Sequence, residues 1–552
     1  MSDGKMTVGD VVAAFLERCG VELAFGVISI HNMPILDAIH RRGHIRFVPA
    51  RGEAGATNMA DASARVSGKL GVVVTSTGTA AGNAAGALVE AATAGTPLLH
   101  LTGQIDSPFL DRGFGFLHEA RDQLGMLRAV SKAAFRVGEP AQCVPILREA
   151  VRSALTAPTG PVSVEIPIDV QQSRIEPPAD LAPPTLPMPT LDAALTAKLA
   201  ERVATARRPL LWLGGGARQA GEAVRKLVDL GFGVVSSTAG RGILAEDHPA
   251  SLGAFTAVPA VEALYTSVDL MLVVGSHLRS NETRTYTLPL PRARIRIDAD
   301  SAAEGRGYDS EMFIRGDAAA VLKALATRLA AMPPAIDPRF AEDIVAARRG
   351  AENALRTSMG PYAALLNVLE RQMPQDAVWV RDITLSNSIW GNRAPLMRQP
   401  GSAVHAMGGG IGQGLPMALG AALGAMGRRT VALIGDGGFA LSLGELATAA
   451  ETRPDLVMLL MNDGGYGVIR NIQDHDYGGR RCYADIKAPH FGLLAESLGI
   501  PHRPVNDLAD FPAIFAAALG ARGPTIIEID MRAIGPFALK FGGFPSAGQK
   551  AR

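Results

Sequence analysis

The chain has 552 residues, and 47% of them are hydrophobic, which is enough for three or four domains and excludes a disordered protein. The 54 basic and 53 acidic residues leave a net charge of +1. This balance argues against a general nucleic-acid binder or a membrane-surface protein, because both use basic patches to meet phosphate. We therefore expect no nucleic acid and no membrane among its partners.

The N-terminal segment and the cysteines bear on the compartment. Residues 1–15 contain Asp3 and no long apolar run, so we expect no signal peptide. The three cysteines, Cys19, Cys143 and Cys482, are far apart and form no CxxC pair. A disulfide framework or a cysteine-rich zinc site is therefore not expected. The sequence predicts a cytoplasmic protein.

Two proline-rich segments divide the chain. Residues 176–190 hold six prolines in fifteen positions, and residues 332–338 hold three more. Proline fixes φ and removes a hydrogen-bond donor, so both segments are typical of extended linkers. The predicted domains are residues 1–175, 190–331 and 355–552.

Short apolar runs alternate with longer helical patterns in each of the three parts. The runs are nearly continuous and several end in glycine, which is typical of parallel strands buried on both faces. We therefore predict an α/β fold of three doubly wound domains with mainly parallel sheets of the six-stranded type, whose ligands bind at the carboxyl ends of the strands. The predicted strands include 71–75, 97–103, 161–167, 209–215, 270–275, 429–437, 455–463 and 525–530.

One glycine-rich motif follows a predicted strand directly. Gly435, Asp436, Gly437 and Gly438 come after an apolar run and precede a helical pattern. Glycines let the backbone approach a phosphate closely, and a helix N-terminus favours negative charge. Alone, this motif is no more than a typical strand-to-helix turn.

A second motif stands 27 residues further on, at the end of the next strand. It contains Asp463 and Gly465, which would bring a side-chain oxygen and a backbone carbonyl towards Asp436. Oxygen ligands of this kind suit a hard divalent cation that bridges to phosphates. Together the two motifs predict a cation and phosphate site.

This pair of motifs resembles the magnesium and diphosphate motif of thiamine-diphosphate (ThDP) enzymes, and the resemblance covers the whole chain. Residues 51–68 resemble the segment of the acetolactate synthase and 2-oxo acid decarboxylase superfamily that carries the catalytic glutamate, and residues 75–104 resemble the next segment. Residues 239–255 are similar to its central domain, and residues 405–422 to its aminopyrimidine-binding turn. The order that this implies is a pyrimidine-binding, a central and a diphosphate-binding domain.

The resemblance implies roles at the pyrimidine end of the cofactor. Glu53 would be the carboxylate that promotes the imino tautomer of the aminopyrimidine. Ile411 would be the apolar wedge under the bent cofactor, and the carbonyl of Gly409 would accept from the 4′-amino group. The chain departs from the synthases at Gly52, where they often have histidine.

At the diphosphate end, the resemblance implies that Asp436, Asp463 and the carbonyl of Gly465 bind Mg²⁺. The family usually has asparagine at the position of Asp463, and the extra carboxylate would raise metal affinity or alter metal preference. Gly435, Gly437 and Gly438 would form the loop around the diphosphate. Thr384 and Ser386 resemble the loop that touches it, or else form a turn that caps a helix.

The substrate side is expected to contain histidine. The turn after the first strand would place His31 near the reacting carbon, where imidazole can exchange protons near neutral pH. Ser76 stands where some relatives carry a polar active-site group, and His118 where the synthases carry glutamine. Surface or helix-start positions are the alternatives for the histidines.

Three residues after the metal turn are expected beside the cofactor and at the pocket rim. These are Tyr466, Ile469 and Arg470. Arg470 would pair with a substrate carboxylate, or with a neighbouring acidic side chain. In the central part, the glycines at 214–216 follow a strand, but without a full dinucleotide fingerprint a structural turn is favoured over FAD or ADP.

Three functions remain open from the sequence. The first is an acetolactate synthase-like enzyme, which decarboxylates a 2-oxo acid and ligates the remaining fragment to a second carbonyl. The second is a decarboxylase without ligation, or a 2-hydroxyacyl-CoA or acyloin lyase. The third, a catalytically degenerate nucleotide-binding module, is disfavoured by Glu53, Ile411 and Asp436. The resemblance also implies a homodimer or homotetramer, because the family's cofactor spans two chains.

Overall fold

Three parallel β-sheets follow one another along the chain, each covered by helices. The computed structural model describes residues 4–187 and 191–542. The last part of the predicted linker 176–190, and the outer ends of the predicted domains, lie outside the described residues. Within the described ranges, no helix combines the length and apolar character that crossing a bilayer requires.

The N-terminal part forms a six-stranded sheet and a short strand pair. Its strands are β1 (Met6–Thr7), β2 (Leu23–Gly26), β3 (Arg46–Pro49), β4 (Gly71–Thr75), β5 (Leu98–Gln104), β6 (Ala133–Arg136), β7 (Pro161–Pro167) and β8 (Arg174–Ile175). Its helices are α1 (Val8–Arg18), α2 (Met33–Arg42), α3 (Glu53–Ser67), α4 (Thr79–Ala94), α5 (Gln123–Val130), α6 (Cys143–Leu155) and α7 (Ile168–Gln172). The parallel order is β3-β2-β4-β5-β7-β6, and β1 pairs with β8 in antiparallel fashion.

The central part has five strands in its sheet, one fewer than the six-stranded type predicted from the sequence. The strands are β9 (Pro209–Leu213), β10 (Gly233–Ser236), β11 (Leu270–Val274), β12 (Arg294–Asp298) and β13 (Met312–Arg315), in the parallel order β10-β9-β11-β12-β13. The helices are α8 (Ala193–Ala204), α9 (Gly221–Asp229), α10 (Pro259–Tyr265) and α11 (Ala318–Ala331), and α12 (Phe340–Met359) leads to the next sheet.

The C-terminal part again has a six-stranded parallel sheet, in the order β15-β14-β16-β17-β19-β18. Its strands are β14 (Val378–Arg381), β15 (Ala403–His405), β16 (Thr430–Gly435), β17 (Leu456–Asn462), β18 (His502–Val505) and β19 (Thr525–Asp530). Its helices are α13 (Ala363–Gln372), α14 (Gly414–Gly424), α15 (Asp436–Leu441), α16 (Glu445–Thr452), α17 (Gly467–Asp476), α18 (Phe491–Ser497), α19 (Phe511–Gly520) and α20 (Met531–Ile534).

The fold class predicted from the sequence is confirmed. Every residue of β4, β7, β16 and β17 is buried, which explains why these strands are continuous apolar runs. β14, β16 and β17 are neighbours in one sheet, so the turns that follow them meet at one edge. The sequence motifs after these strands are thereby brought together.

The first and last sheets of the chain meet through two helices, α3 and α14. The approach is very close, because a Cβ at Gly420 would lie 2.0 Å from the carbonyl oxygen of Met59. Only glycine permits this contact. The N-terminus of α3, which carries Glu53, is therefore fixed relative to the C-terminal sheet of the same chain.

Candidate active site

Asp436 is buried at the end of β16, as the first residue of α15. Its Oδ1 accepts from the backbone amide of Asp463 at 3.3 Å, whereas its Oδ2 is buried and has no hydrogen-bond partner among the described residues. Burial, and then the negative charge of Asp463, raise the pKa of Asp436 to about 6. A buried carboxylate oxygen without a partner is suited to a cation.

The carbonyl of Gly465 faces the same turn. A Cβ at Gly437 would lie 2.8 Å from that oxygen and 2.7 Å from the ring of Tyr466. Gly465 itself has φ +148°, and a Cβ there would lie 2.3 Å from the carbonyl oxygen of Ala484. The structure thus places Asp436, Asp463 and Gly465 together, as the two motifs predict. Their role as metal ligands stays a prediction.

Arg470 is paired with the predicted metal loop. Its guanidinium lies 2.7 Å from Asp463 Oδ1 and 2.9 Å from Asp485 Oδ1, and its Nη2 donates to the backbone oxygen of Asp463 at 2.7 Å. Burial raises the pKa of Asp463, and Arg470 opposes this. The sequence left two kinds of partner open for Arg470, a substrate carboxylate or a neighbouring acidic side chain. In the structure its guanidinium pairs with the acidic side chains of Asp463 and Asp485. Ile469, by contrast, is 45% exposed and free to line a pocket rim.

A buried carboxylate that the sequence did not suggest, Asp382, holds the glycine turn before α14. Its Oδ2 accepts from the amide of Gly412 at 3.2 Å, and a Cβ at Gly438 would lie 2.4 Å from it. Burial raises the pKa of Asp382 to about 6, against the effect of several backbone amides. The turn carries Ile411 with 43% of the residue exposed. Asp382 thus links the predicted aminopyrimidine turn to the diphosphate loop.

The other predicted cofactor contacts in this sheet surround the same edge. A Cβ at Gly435 would lie 2.9 Å from Thr384 Oγ1, so this hydroxyl reaches the glycine loop. Ser386 is buried, and no residue that the structure describes forms a hydrogen bond with its Oγ. It directly precedes a π-helical turn, Asn387–Gly391, a feature frequent at functional sites. Gly409 has φ +83° and no heavy atom within 4 Å of an added Cβ, so its surroundings are open.

Glu53 begins α3 at the edge of the N-terminal sheet and is half-buried. Its Oε2 accepts from Asn83 Nδ2 of α4 at 3.0 Å. Just before Glu53, the amide of Arg51 donates to the carboxylate of Glu445 at 3.2 and 3.3 Å. Neither Asn83 nor Glu445 was suggested by the sequence. The position of Asn83, one helical turn from the start of α4, is a signal that could have placed it near the carboxyl ends of the strands.

His31 and His118 lie together, with ring centroids 5.2 Å apart in an edge-to-face arrangement. His31 is buried and its Nδ1 has no hydrogen-bond partner within the described part of the chain, whereas His118 is exposed. Burial, and then His118, lower the pKa of His31, while Asp106 opposes them. His118 has φ +69°, and its carbonyl oxygen would be 2.2 Å from a Cβ at Gly78. The structure therefore pairs the two histidines that the sequence singled out.

A buried polar network supports the turn beneath His118. Gln123 Oε1 accepts from the amide of Gly78 at 2.7 Å and from Thr77 Oγ1 at 2.9 Å, and its Nε2 donates to Glu165 at 2.9 Å. Sequence reasoning missed this network, because its members are far apart in the chain. Ser76 is also buried here, at the end of β4, and its Oγ has no hydrogen-bond partner in residues 4–187 and 191–542.

No polar contact links the key carboxylates of the two halves of the predicted site within the described part of one chain. Among residues 4–187 and 191–542, no hydrogen bond or ion pair joins Glu53 to Asp436 or Asp463. In the central sheet, the glycine turns after β9 and β11 pack on each other, since a Cβ at Gly214 would lie 2.1 Å from the oxygen of Gly275. This close packing by itself explains why glycine is present in these turns, and a bound nucleotide is not needed to explain it.

Three family models match the chain in order. Residues 6–126 match the N-terminal TPP binding domain of thiamine pyrophosphate enzymes, residues 196–325 the central domain, and residues 385–529 the C-terminal TPP binding domain.

Curated relatives extend over almost the full length. The chain is 34% identical over 541 residues to the probable 2-ketoarginine decarboxylase AruI of Pseudomonas aeruginosa, covering 95% of this chain and 94% of that protein. The chain belongs to the thiamine-diphosphate enzyme family. It is also 30% identical over 517 residues to the acetolactate synthase large subunit of Corynebacterium glutamicum (90% and 82% covered). The chain is 26% identical over 535 residues to the large subunit of acetolactate synthase isozyme 1 of Escherichia coli, and the alignment covers 95% of this chain and 94% of that protein.

The residues present fit the cofactor of a thiamine-diphosphate enzyme. Asp436 offers a buried oxygen that no described residue bonds, Gly465 offers a carbonyl, and no described heavy atom lies within 4 Å of a Cβ added at Gly409. The resemblance drawn from the sequence is confirmed at the level of the family. The individual site residues remain predictions.

Proposed function

We propose that this thiamine-diphosphate enzyme uses Mg²⁺ to remove CO₂ from a 2-oxo acid and joins the remaining acyl fragment to a second carbonyl compound, as an acetolactate synthase does. The observation that carries the proposal is the buried group of Asp436, Asp463 and Gly465 at the ends of β16 and β17. It occurs in a chain that aligns over nearly its whole length with both acetolactate synthases and a probable 2-ketoarginine decarboxylase.

The C-terminal sheet would bind the diphosphate end. Mg²⁺ would be bound by Asp436, Asp463 and the carbonyl of Gly465, whose oxygens suit a hard cation. Thr384 and Ser386 would donate to phosphate oxygens, and Ile411 would support the bend of the cofactor. When bound, ThDP supplies the nucleophilic carbon and the electron sink for decarboxylation. The remaining residues of this site are Gly409, Gly435, Gly437, Gly438 and Tyr466.

Glu53 would hold a proton at the pyrimidine end. The carboxylate lies at the start of α3 and is half-exposed, with Asn83 as its hydrogen-bond donor. It is therefore placed to meet a group that arrives from outside its own sheet. A general acid or base must be within hydrogen-bond reach of the atom it serves, and Glu53 can satisfy this only if the cofactor is held opposite it.

A second copy of the chain would complete the site. Among the described residues, no hydrogen bond or ion pair joins Glu53 to Asp436, and apolar side chains around both halves are exposed: Ile28 59%, Leu117 71%, Ile411 43% and Leu441 57%. Burial of this surface between two copies would stabilise a homodimer, or a homotetramer built from it. We place the enzyme in the cytoplasm, and we do not favour FAD or ADP in the central domain, because the turns at Gly214 and Gly275 are packed together.

A decarboxylase without ligation is the second candidate. The paired rings of His31 and His118 favour it, because they offer proton donors where a proton would replace the second carbonyl. Ligation needs a second carbonyl substrate in that place. The two candidates therefore differ in what lies beside the histidine pair after CO₂ leaves.

The deciding experiment incubates the protein with ThDP, Mg²⁺ and a panel of 2-oxo acids that includes pyruvate and 2-ketoarginine. Released CO₂, aldehyde and acyloin are each quantified, with and without a second carbonyl compound. Acyloin without free aldehyde supports the synthase-type reaction, and aldehyde alone supports the decarboxylase. No CO₂ from any acid, in a protein that also fails to bind ThDP, would overturn both. Absorbance after incubation with FAD tests the central domain.

A further inference from the structure

The carboxylate of Glu445 lies against the turn that leads into α3. It is the first residue of α16, only 4% exposed, and both of its oxygens accept from the amide of Arg51, at 3.2 and 3.3 Å. Thr448 Oγ1 also donates to Glu445 Oε2 at 2.7 Å. This is a contact between positions 394 residues apart in the chain.

The N-terminus of α3 needs an acceptor of this kind. The helix begins at Glu53, its N-cap residue is Gly52, and no side chain of the helix itself caps it. The first amides of a helix have no partner within the helix and carry the positive end of its dipole. A buried carboxylate placed against this turn satisfies a donor and is stabilised by the dipole.

The position of Glu445 also bears on where Glu53 can point. Glu53 is itself a carboxylate at the first position of α3, where the positive end of the helix dipole favours negative charge. In the structure the two carboxylates have different donors: Glu445 accepts from the amide of Arg51, and Glu53 accepts from Asn83 of α4 at 3.0 Å.

Close packing fixes this arrangement. A Cβ at Gly55 would lie 2.1 Å from Glu445 Oε1, so the absence of a side chain at position 55 makes room for the carboxylate. A surface ion pair, Arg51 with Glu451 at 2.6 Å, joins the same two segments but is half-exposed and contributes little. The buried contact, and not the surface pair, sets the geometry.

We propose that Glu445 is a positioning residue that holds the turn before α3 and keeps the carboxylate of Glu53 turned outward, towards the cofactor. The inference rests on the proposed function, in which Glu53 exchanges a proton with the pyrimidine end of ThDP. Since Glu445 follows the diphosphate loop of its own chain, the C-terminal sheet then sets the orientation of the catalytic carboxylate in the N-terminal sheet.

The test measures deuterium exchange at C2 of bound ThDP in the full-length protein with Mg²⁺, by acid quench and NMR, and beside it kcat and the ThDP dissociation constant. Misplacing a catalytic group by about 1 Å can cost on the order of 100-fold, so Glu445→Ala should slow exchange and kcat about 10- to 100-fold. Glu445→Gln keeps one acceptor oxygen and should recover much of the rate. The ThDP dissociation constant should change less than about threefold, because the diphosphate loop is intact.

Two further variants separate positioning from stability. Gly55→Ala displaces the carboxylate without removing its charge and should also slow exchange, which covers the case in which Glu445→Ala does not fold. Glu451→Gln, on the same helix, serves as the matched control and should exchange like the wild type. Wild-type exchange in Glu445→Ala or in Gly55→Ala would overturn the proposal. Absence of ThDP binding and exchange in the wild type would instead overturn the proposed function.

Discussion

Arg470 lies 2.7 Å from Asp463 Oδ1, and the pair is largely buried beside the carbonyl of Gly465. The family's usual residue at position 463 is a neutral asparagine. Here the carboxylate of Asp463 and the guanidinium of Arg470 replace that neutral group, and their opposite charges balance within the predicted metal loop. The extra charge of Asp463 is therefore balanced before any cation arrives.

The first prediction concerns Mg²⁺ affinity. Asp463→Asn removes the negative charge but leaves Arg470 facing the cation, so we expect affinity to fall about tenfold, equivalent to about 1.4 kcal/mol. Arg470→Gln should have the opposite sign, since it frees the carboxylate for the metal. Titration calorimetry of Mg²⁺ in the presence of ThDP measures both.

The double variant makes this prediction sharper. Asp463→Asn combined with Arg470→Gln creates a neutral pair, and its affinity should return to within about threefold of the wild type, which a double-mutant cycle reads as coupling. Asp485→Asn, which removes the other partner of Arg470, is the control. Unchanged affinity in Asp463→Asn would show that the second carboxylate does not act on the metal.

The second prediction concerns Glu53. Glu53→Gln keeps the size of the side chain but cannot exchange a proton, so we expect CO₂ release to fall about 100- to 10,000-fold. Asn83→Ala leaves the carboxylate in place without its donor, and a fall of about tenfold follows from lost orientation. Binding of ThDP, measured by calorimetry, should persist in both. Glu22→Gln, at an exposed pair with Lys69, is the control.

The third prediction concerns the fate of the product. His118 has φ +69°, a region in which asparagine is tolerated, so His118→Asn removes the imidazole without straining the turn. With one proton donor lost, aldehyde formation should fall at least about tenfold, while CO₂ release falls less. Chromatography of aldehyde and acyloin gives the ratio. An unchanged ratio would mean that His118 supplies no proton to the product.

The features that could be predicted from the sequence are those set by local pattern. The runs at 71–75, 161–167 and 525–530 are the strands β4, β7 and β19 with the same bounds, because their apolar residues are buried on both faces. The sequence predicts Gly437 beside a phosphate and the carbonyl of Gly465 beside a cation. The structure shows a further reason for glycine at both positions, because a Cβ there would collide with neighbouring protein atoms.

What the sequence did not indicate depends on contacts between distant segments. In the sequence, Glu445 resembles an ordinary helix residue. Its contact with the amide of Arg51 forms only when α16 packs against the turn before α3. Asp382 lies beside a predicted loop, yet its bond to the amide of Gly412 depends on β14 neighbouring β15 in the sheet, because Gly412 lies in the turn that follows β15. Strand order is not encoded in local periodicity. The partners of these side chains therefore could not be read from the sequence.

The last prediction concerns acid stability and a histidine far from the proposed chemistry. His100, on β5, is fully buried, with Nε2 2.8 Å from Thr75 Oγ1 and Nδ1 3.0 Å from Ser163 Oγ. Burial lowers its pKa to about 3, so the folded protein keeps it neutral. In the unfolded chain it binds a proton below about pH 6.5. Stability should therefore be complete above that pH and be lost as the pH falls from 6.5 towards 3.

The size of this effect can be measured by difference. Between pH 7 and pH 4.5, His100 should cost the folded state about 2 to 3 kcal/mol. His100→Gln cannot bind a proton at this position. Between pH 7 and pH 4.5, its free energy of unfolding, measured with urea, should therefore fall by about 2 to 3 kcal/mol less than that of the wild type. His44→Gln removes an exposed histidine and should retain the wild-type pH dependence. Equal losses in His100→Gln and the wild type would mean that His100 is protonated in the folded state, and that the hydroxyls of Thr75 and Ser163 stabilise the cation.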